Sequence, residues 1–496
     1  MLHGGRLGDV RKDVAEFTSS RKDDACLAEA VLAINKAHVV MLMNQKIISL
    51  EDGVKILSAL TKIDSKKIDP NTEDIHMAIE EEVLEQTGAE VGGNMHVAKS
   101  RNDQVTTAIR MVLRKEILTI IQGILNMQRS LLDTADKHTK TIILEYTHLQ
   151  AAQPVTFAHY LLSFVDALGR DFDRLMSAYN HVNQCPLGAC GLATTSFPIN
   201  REETAKLLGF EDVLENSIDA VGSRDFIIES QAALVLLAIN LSRLAEDLII
   251  WSSAEFGTVE LPDEFTSTSS IMPQKKNPEV LEIIRARASH VLGDFVASTA
   301  AVKSLPTTYN LDFQEITPKL WSSVINLSGS LKMFASLISK ITVSFDVENK
   351  AAAGFVGATE VANMLVHKHN VAFRTSHRIV GALVKVLVDS KKTLLDVSPE
   401  LIQKVALETT NIKIIVDKQD LFECTNPRKI VETYKVHGGP SPKEVNRFLR
   451  VRHKVHAKAQ SKLEELEKNL ANAKDMLSYA VEECLRLKND KLKNLK

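Results

Sequence analysis

The sequence has few of the residues that mark disulfide-rich, zinc-binding or membrane-spanning proteins. Its five cysteines are widely spread and form no CxxC pair, which argues against a disulfide framework and a structural zinc site and indicates a reducing compartment. No apolar run approaches the roughly 18–20 residues of a membrane span. The charged N-terminus lacks the apolar core of a signal peptide, and a net charge of −3 argues against a nucleic-acid partner. We therefore expect a soluble, cytoplasmic protein with neither nucleic acid nor membrane as a partner.

Helix-forming residues dominate what is present. Only 5% of the residues are aromatic, and there are 21 glycines and 13 prolines in 496 residues, while Ala, Leu, Lys and Glu abound. This mixture favours an all-α fold. The length suggests two to four domains, and we predict three mainly helical ones, over residues 1–103, 104–353 and 354–496.

Apolar periodicity predicts five long helices in the central domain. They cover about 104–138, 155–184, 224–256, 278–303 and 317–349, each on the order of 40 Å long or more at about 1.5 Å per residue. The third has neither Gly nor Pro over 226–256 and is apolar on more than one face, so it needs neighbours on several sides. We expect a bundle that associates between subunits into a larger helical core, with polar loops at the bundle ends.

The most distinctive polar stretch is PDEFTSTSSIMPQKKNPEVLE, at 262–282. Its five consecutive hydroxyl side chains and a proline disfavour both helix and strand. Asn277 then suits an N-cap, Pro278 the first helical position and Glu282 an early turn. The pattern predicts a mobile loop that leads two lysines into a helix N-terminus, which is suited to an anion, beside a serine able to act as nucleophile or base. A solvated surface loop explains the same residues equally well.

Further polar stretches lie near the ends of predicted helices. SRND at 100–103 precedes a long helix, and its arginine fork suits a carboxylate. The extended apolar run IILEYTHLQAAQPV carries Thr147 and His148, and a histidine in this position suits proton transfer. His76 lies on a helix beside acidic residues. Taken singly, each has an ordinary explanation: a surface ion pair, a satisfied buried histidine and an exposed helical residue.

Taken together, these stretches resemble the fumarase/aspartase superfamily and, within it, the argininosuccinate lyase branch. SSIMPQKKNP matches the superfamily signature, usually written Gly-Ser-Ser-x-Met-Pro-x-Lys-x-Asn. Four other stretches are similar to the branch and occur in the family order: EDIHMAIE at 73–80, SRNDQV at 100–105, YTHLQAAQP at 146–154 and LPTTYNLDFQE at 305–315.

The resemblance implies an enzyme that reversibly cleaves L-argininosuccinate to L-arginine and fumarate, the final step of arginine biosynthesis, without a metal or organic cofactor. The family is homotetrameric, and loops from three chains meet at each of its active sites. Proton removal beside a carboxylate builds an aci-carboxylate before the C–N bond breaks, so the site needs a base and preplaced cations and N–H donors.

The resemblance also implies roles for particular residues. Ser269 is similar to the family's base, Lys275 to a carboxylate binder, and His148 to a catalytic histidine oriented by Glu282. Whether His148 donates the proton to the leaving nitrogen stays open. The implied substrate contacts are Ser20, His76, Ser100, Arg101, Asn102, Thr147, Asn277, Tyr309 and Gln314.

Three positions depart from the family pattern. Thr268 stands where the signature has glycine, and HVAK at 96–99 stands where His-Thr-Gly-Arg is common. ITP at 316–318 lies where many members carry a lysine, a role that Lys319 could take. These changes bear on how the substrate is held more than on the reaction.

Three alternatives compete with this interpretation. A sister enzyme, such as adenylosuccinate lyase or aspartase, would share the serine loop, but SRNDQV, EDIH and QKKN argue against it. A catalytically silent relative would have no need of Ser269, His148, Lys275 and Glu282. A coiled-coil adaptor fits the composition, but it does not explain why the polar stretches cluster at helix junctions.

Overall fold

The computed structural model describes residues 11–68, 74–344 and 347–493, and most of them are helical, as expected. The N-terminal helices are α1 (Lys12–Thr18), α2 (Arg21–Asp24), α3 (Ala28–Asn44), α4 (Leu50–Lys62), α5 (Ile75–Thr87) and α6 (Ala89–Gly92). The central helices are α7 (Arg101–Lys137), α8 (Phe157–Val182), α9 (Arg201–Leu207), α10 (Ser217–Gly222), α11 (Asp225–Trp251), α12 (Glu279–Val302), α13 (Thr317–Ile338) and α14 (Val347–Ala353). The C-terminal helices are α15 (Ala358–His369), α16 (Phe373–Asp389), α17 (Pro399–Thr410), α18 (Lys418–Thr425), α19 (Pro427–Thr433) and α20 (Pro442–Lys493). Short 3-10 helices cover Ala25–Leu27, Gly93–His96, Asp263–Phe265, Leu311–Glu315 and Leu394–Asp396.

The five long helices α7, α8, α11, α12 and α13 pack together as the predicted bundle. Two cross-contacts relate the directions of α7, α8 and α13. Arg110, in the N-terminal half of α7, donates to the carbonyl of His181 near the end of α8 at 2.6 Å, so these two helices are antiparallel. Thr134, near the end of α7, donates to the carbonyl of Ile338 at the end of α13 at 3.2 Å, so α7 and α13 are parallel.

The bundle therefore has two ends with different loops. Tyr160, near the start of α8, donates to Asp247 near the end of α11 at 3.0 Å, and Arg285, near the start of α12, donates to Glu246 of α11 at 2.5 Å, so α8 and α12 both run antiparallel to α11. We call one end of the bundle the serine end: α7, α11 and α13 finish there, α8 and α12 begin there, and it carries residues 262–278. We call the other the arginine end, since α7 begins there with Arg101. The 24 residues of α12 run from one end to the other, a length of about 35 Å at about 1.5 Å per residue.

Short paired strands connect the helices. β1 (Ile142–Thr147) and β2 (Gln150–Thr156) form an antiparallel hairpin over the run that the sequence predicted as extended. β3 (Gln184–Cys185) pairs with β4 (Asp212–Val213), and β5 (Val259–Glu260) pairs with β8 (Thr342–Val343). The fifth bundle helix was predicted to reach 349, but it ends at Ile338 because the chain leaves the bundle to form β8.

The serine-rich stretch also contains strands, contrary to the prediction. β6 (Ser267–Thr268) pairs antiparallel with β7 (Lys276–Asn277). Thr268 faces Lys276 in this ladder, and a β-branched side chain is well suited to extended backbone. The threonine that replaces the signature glycine thus lies in a strand that accommodates it.

One hydrophobic core joins the N-terminal helices, the bundle and the last helix. Leu463 of α20 is fully buried in the same cluster as Leu42 of α3 and Ile121 of α7. A separate small core lies within residues 361–421. The division into three domains stays a prediction. The structure differs from it at one point, because the apolar side of α20 packs along α7 and not within the small C-terminal core.

The residues Arg21–Asn44 form a helical run that is long and apolar enough to cross a membrane, which the sequence analysis did not expect. In its most apolar window, 72% is buried inside the protein. Val31, Ile34 and Leu42 of this run are fully buried in the main core. Burial among other helices accounts for its apolar character.

Candidate active site

Ser269 is the first residue of the turn between β6 and β7, and its own loop holds its hydroxyl. The Oγ accepts hydrogen bonds from the backbone N–H of Ile271 at 3.2 Å and of Met272 at 3.1 Å. N–H donors directed at an oxygen favour its anionic form, so this geometry suits a serine that acts as a base. By contrast, the neighbouring hydroxyls of Thr266, Ser267 and Thr268 each donate a hydrogen bond to an oxygen atom.

Asn277 was predicted to cap α12, and this prediction is wrong. Its backbone pairs with Ser267 as part of β7, which leaves Pro278 in the N-cap position without a side-chain hydrogen bond. The Asn277 side chain points back to the loop, where its Nδ2 donates to Ser267 Oγ at 3.5 Å. The first N–H groups of α12 thus receive no side-chain cap from Pro278, and uncapped N–H groups are what an anion site at a helix N-terminus offers.

The two lysines of the loop have different environments. Lys276 Nζ lies 2.7 Å from both Glu260 Oε1 and Asp263 Oδ1 and donates to the carbonyl of Leu261 at 2.5 Å. The hydrogen bonds with Asp263 and Glu260 raise the pKa of Lys276. The exposed side chain of Lys275 makes no hydrogen bond or ion pair with the described part of the chain. Lys276 therefore fastens the loop, and Lys275 is the lysine available to a ligand.

His148 lies at the tip of the β1–β2 hairpin, at the serine end. Its φ of 55° and that of Leu149, 57°, are in the left-handed region that residues with side chains seldom adopt. The turn leaves Thr147 and His148 exposed. Glu282, in the first turn of α12, is exposed too, and within the described chain no hydrogen bond joins it to His148. Orientation of His148 by a Glu282 from another chain stays a prediction.

Arg101 lies among carboxylates at the arginine end. Its side chain is 17% exposed, with Nε 3.4 Å from Asp74 Oδ2 and Nη2 3.7 Å from Glu80 Oε2. Nearby, Ser20 donates a hydrogen bond to Asp24. Burial, with a smaller contribution from Asp74, raises the pKa of Asp24 to about 6, while the Ser20 hydrogen bond and Arg101 oppose the shift. Sequence reasoning missed these three carboxylates, because segments far apart in sequence meet only after folding.

His76, Ser100 and Asn102 belong to the same end. His76 is 1% exposed, and neither ring nitrogen has a hydrogen-bond partner among the described residues. Burial is the main cause that lowers its pKa well below the usual value, so the ring is neutral. Ser100 caps α7 by accepting from the N–H of Asn102 at 3.3 Å, and Asn102 Nδ2 donates to the carbonyl of Gly191 at 3.2 Å.

Asp103 was not predicted as a site residue, yet it organises this end. It is fully buried, its Oδ1 accepts from the N–H of Ser100 at 3.0 Å, and its Oδ2 accepts from the N–H groups of Gly188 and Cys190 at 2.9 and 2.8 Å. One carboxylate thereby ties the loop that contains Gly188 and Cys190 to the first turn of α7. The SRND motif contains it, but sequence could not show which backbone it binds.

Tyr309 and Gln314 lie in the connector from α12 to α13, both half-buried. Burial raises the pKa of Tyr309, Arg224 opposes this shift, and Asp24 and Asp74 add to it, so the phenol lies close enough to these charged groups of the arginine end to respond to them. Gln314 is part of the 3-10 helix that follows.

The predicted site residues thus form two sets. At the serine end are Thr147, His148, Ser269, Lys275, Asn277 and Glu282, and at the arginine end are Ser20, His76, Ser100, Arg101, Asn102, Tyr309 and Gln314. Since α12 spans about 35 Å between the ends, one chain cannot bring both sets to the same small substrate.

Two of the departures from the family pattern now have a structural description. Ala98 adopts a φ of 58°, so the turn is made without the glycine that is common there. Lys99, which stands where arginine is common, is 7% exposed and donates to Asn35 Oδ1 at 2.5 Å. Burial lowers its pKa to about 8. Thr317 is buried at the start of α13, while Lys319 is exposed.

The chain is similar in sequence to known lyases over nearly its full length. A sequence profile described as Lyase matches residues 10–293, and one described as Argininosuccinate lyase C-terminal matches residues 355–432. The argininosuccinate lyase of Methanocaldococcus jannaschii is 42% identical over 489 residues, which cover 97% of this chain and 100% of that protein. That of Methanosarcina barkeri is 41% identical and covers 99% of both chains.

Solved structures give the same fold. EDDS lyase in complex with formate superposes with a TM-score of 0.88 at 28% identity, over 97% of each chain. Class II fumarase from Schistosoma mansoni has a TM-score of 0.69 at 17% identity, over 82% of this chain and 90% of that one, a likeness of fold alone.

Long antiparallel helices with polar loops at both ends, together with the matched lyase profile, define a lyase of the fumarase/aspartase superfamily. Near full-length similarity and the matched C-terminal profile narrow this class further. The chain belongs to the argininosuccinate lyase family.

Proposed function

We propose that this protein cleaves L-argininosuccinate reversibly to L-arginine and fumarate by β-elimination, as the final step of arginine biosynthesis. The observation that carries the mechanism is the Ser269 hydroxyl, which two backbone N–H groups hold at 3.2 and 3.1 Å. Those donors stabilise the alkoxide that removes the proton beside the substrate carboxylate.

The dianionic aci-carboxylate then requires positive charge at a fixed place. Lys275 is exposed and unengaged by the described residues, and it lies four residues before α12 begins. Its ammonium group, the Asn277 amide and the N–H groups of the first turn of α12 supply charge and donors to the carboxylate. His148 acts on the same end of the substrate, either as the proton donor to the leaving nitrogen or through water.

The arginine half of the substrate carries a guanidinium group and an α-carboxylate. Asp24, Asp74 and Glu80 offer carboxylates to the cation, and Arg101 offers a planar fork to an anion. Asn102, Tyr309 and Gln314 add neutral donors and acceptors. This end therefore recognises the leaving group, while the chemistry takes place on residues of the serine end.

A site that combines both ends requires more than one chain, and we propose a homotetramer with composite sites. The bundle helices expose large apolar side chains along their length: Leu236 and Ile239 on α11, Ile283, Leu292 and Val296 on α12, and Ile325 and Met333 on α13. Exposed apolar positions on packed helices favour burial against another copy of the chain. Antiparallel association would place the serine end of one chain beside the arginine end of another.

A substrate screen tests the reaction. Fumarate release, followed by ultraviolet absorbance, is expected with argininosuccinate and not with adenylosuccinate or aspartate. Release from adenylosuccinate or aspartate alone would assign the chain to a sister activity, and release from none would reject the enzymatic proposal. We also propose a cytoplasmic location, in keeping with cysteines that are all free; fractionation of the cells checks it.

A further inference from the structure

Arg224 is a buried arginine immediately before α11, at the arginine end. It is 3% exposed, and its Nη1 donates to the carbonyls of Val221 at 3.0 Å and Ser223 at 2.7 Å. The guanidinium carbon lies 4.3 Å from the centre of the Phe313 ring. The side chain therefore joins the turn before α11 to the 3-10 helix that contains Gln314.

The same turn also supports Tyr309. The ring of Tyr309 meets that of Phe313 edge to face, with centroids 6.0 Å apart. A Cβ on Gly222 would come within 2.8 Å of the Thr308 backbone, and Thr308 itself has a φ of 78°. A β-branched residue with this φ persists only where the surroundings hold it. The turn and the connector are thus in close contact on both sides of Tyr309.

The charge of Arg224 is not explained by packing alone. Its Nε and Nη2 have no hydrogen-bond partner among the described residues, and no carboxylate there forms an ion pair with it. Burial lowers its pKa to about 9, and Tyr309 opposes this shift. A buried cation without a countercharge is costly, whereas an apolar side chain would cover Phe313 without that cost.

We infer that Arg224 is a positioning residue of the active site: it holds Tyr309 and Gln314 in place for the arginine half of the substrate. The inference rests on the proposed function and goes beyond it, since Arg224 reaches the site only through Phe313 and Tyr309. A planar guanidinium is required for stacking, so a lysine cannot replace it.

Arg114 provides a matched control. It is 4% exposed, its guanidinium carbon lies 4.3 Å from the centre of the Phe210 ring, and it donates to the carbonyl of Gly209 at 2.8 Å. It is therefore an equally buried, equally stacked arginine, but on residues that none of the site groups contacts. Arg114→Met and Arg224→Met should lower the thermal unfolding temperature similarly.

The test compares Arg224→Met, Arg224→Lys and Arg114→Met with the wild type in fumarate release from argininosuccinate. Displacing binding groups by about 1 Å can cost about 100-fold, so kcat/KM should fall by about that factor in both Arg224 variants, mainly through KM. Arg114→Met should keep the wild-type KM. In a Tyr309→Phe background, Arg224→Lys should lose most of its effect, because the two residues act as a unit.

Equal kinetics for Arg224→Met and Arg114→Met, or full recovery of KM by Arg224→Lys, would overturn the inference. If Arg224→Met does not fold, the test rests on Arg224→Lys alone and combined with Tyr309→Phe. If the effects of these two substitutions on kcat/KM are additive, the inference is overturned. A wild-type enzyme that releases no fumarate from argininosuccinate is a different failure, that of the proposed function itself.

Discussion

Mixing two inactive variants tests whether each active site is built from more than one chain. Ser269→Ala removes the proposed base at the serine end, and Arg101→Gln removes the cation at the arginine end. The 24 residues of α12 separate these ends in one chain by about 35 Å. Each variant alone is expected to be inactive, because every site in its oligomer lacks the same group.

Random mixing of the two chains sets how much activity a composite site should regain. In an equal mixture, half of the chains carry an intact Ser269 and the other half an intact Arg101. A site that draws these residues from two different chains of a randomly assembled symmetric oligomer is complete in about one case in four. Activity should therefore return to about a quarter of the wild-type value. A site drawn from a single chain would recover nothing.

The assay is fumarate absorbance after the two variants are refolded together, with native mass spectrometry to verify mixed oligomers. The matched control mixes Ser269→Ala with Lys275→Ala. Both residues lie in the same β6–β7 turn, so no loop in that mixture is intact and no activity should return. If verified mixed oligomers of Ser269→Ala and Arg101→Gln are no more active than this control, the composite site is refuted.

Three further predictions follow from single residues. Ser269→Ala should lower kcat by at least about 10³-fold with the oligomer unchanged by light scattering; wild-type-like turnover would reject the base. Burial raises the pKa of Asp24 to about 6. As pH falls through 6 its carboxylate takes up a proton and the KM for argininosuccinate should rise in initial-rate assays, whereas Asp24→Asn should have a high KM that does not change across this range. Asp103→Ala leaves three backbone N–H groups without their acceptor and should reduce the free energy of unfolding by about 3 kcal/mol in urea titrations. An unchanged urea midpoint for Asp103→Ala would show that water replaces the carboxylate as acceptor for these N–H groups.

The helical fold could be predicted because it depends on local patterns. Apolar residues spaced three and four apart marked the five bundle helices to within a few residues at most ends. The extended run around Thr147 and His148 was confirmed as the β1–β2 hairpin. The errors lie where tertiary contacts outweigh local preference: Asn277 is a good N-cap by composition, yet pairing with Ser267 draws it into a strand.

The site could be predicted only where a motif carried it. SRND and the serine loop led to Arg101 and Ser269, but Asp24 lies in no motif, and EDIHMAIE, which contains Glu80, did not indicate a role for that residue. Each is an ordinary acidic residue on a helix until folding places it near Arg101. Arg224 likewise belongs to none of the motifs, and only the structure places it against Phe313.

By itself, the sequence determined the helical class of this protein and the order of its long helices, and it led to the side chains that we predict to be reactive, because these depend on residue type and short-range spacing. The tertiary structure decided which side chains share a site. Helix directions place Ser269 and Arg101 at opposite ends of one bundle. The distance between them cannot be read from their positions in the sequence. The physical reason to expect a composite site is therefore the length of α12, about 35 Å of helix between the two sets of predicted site residues.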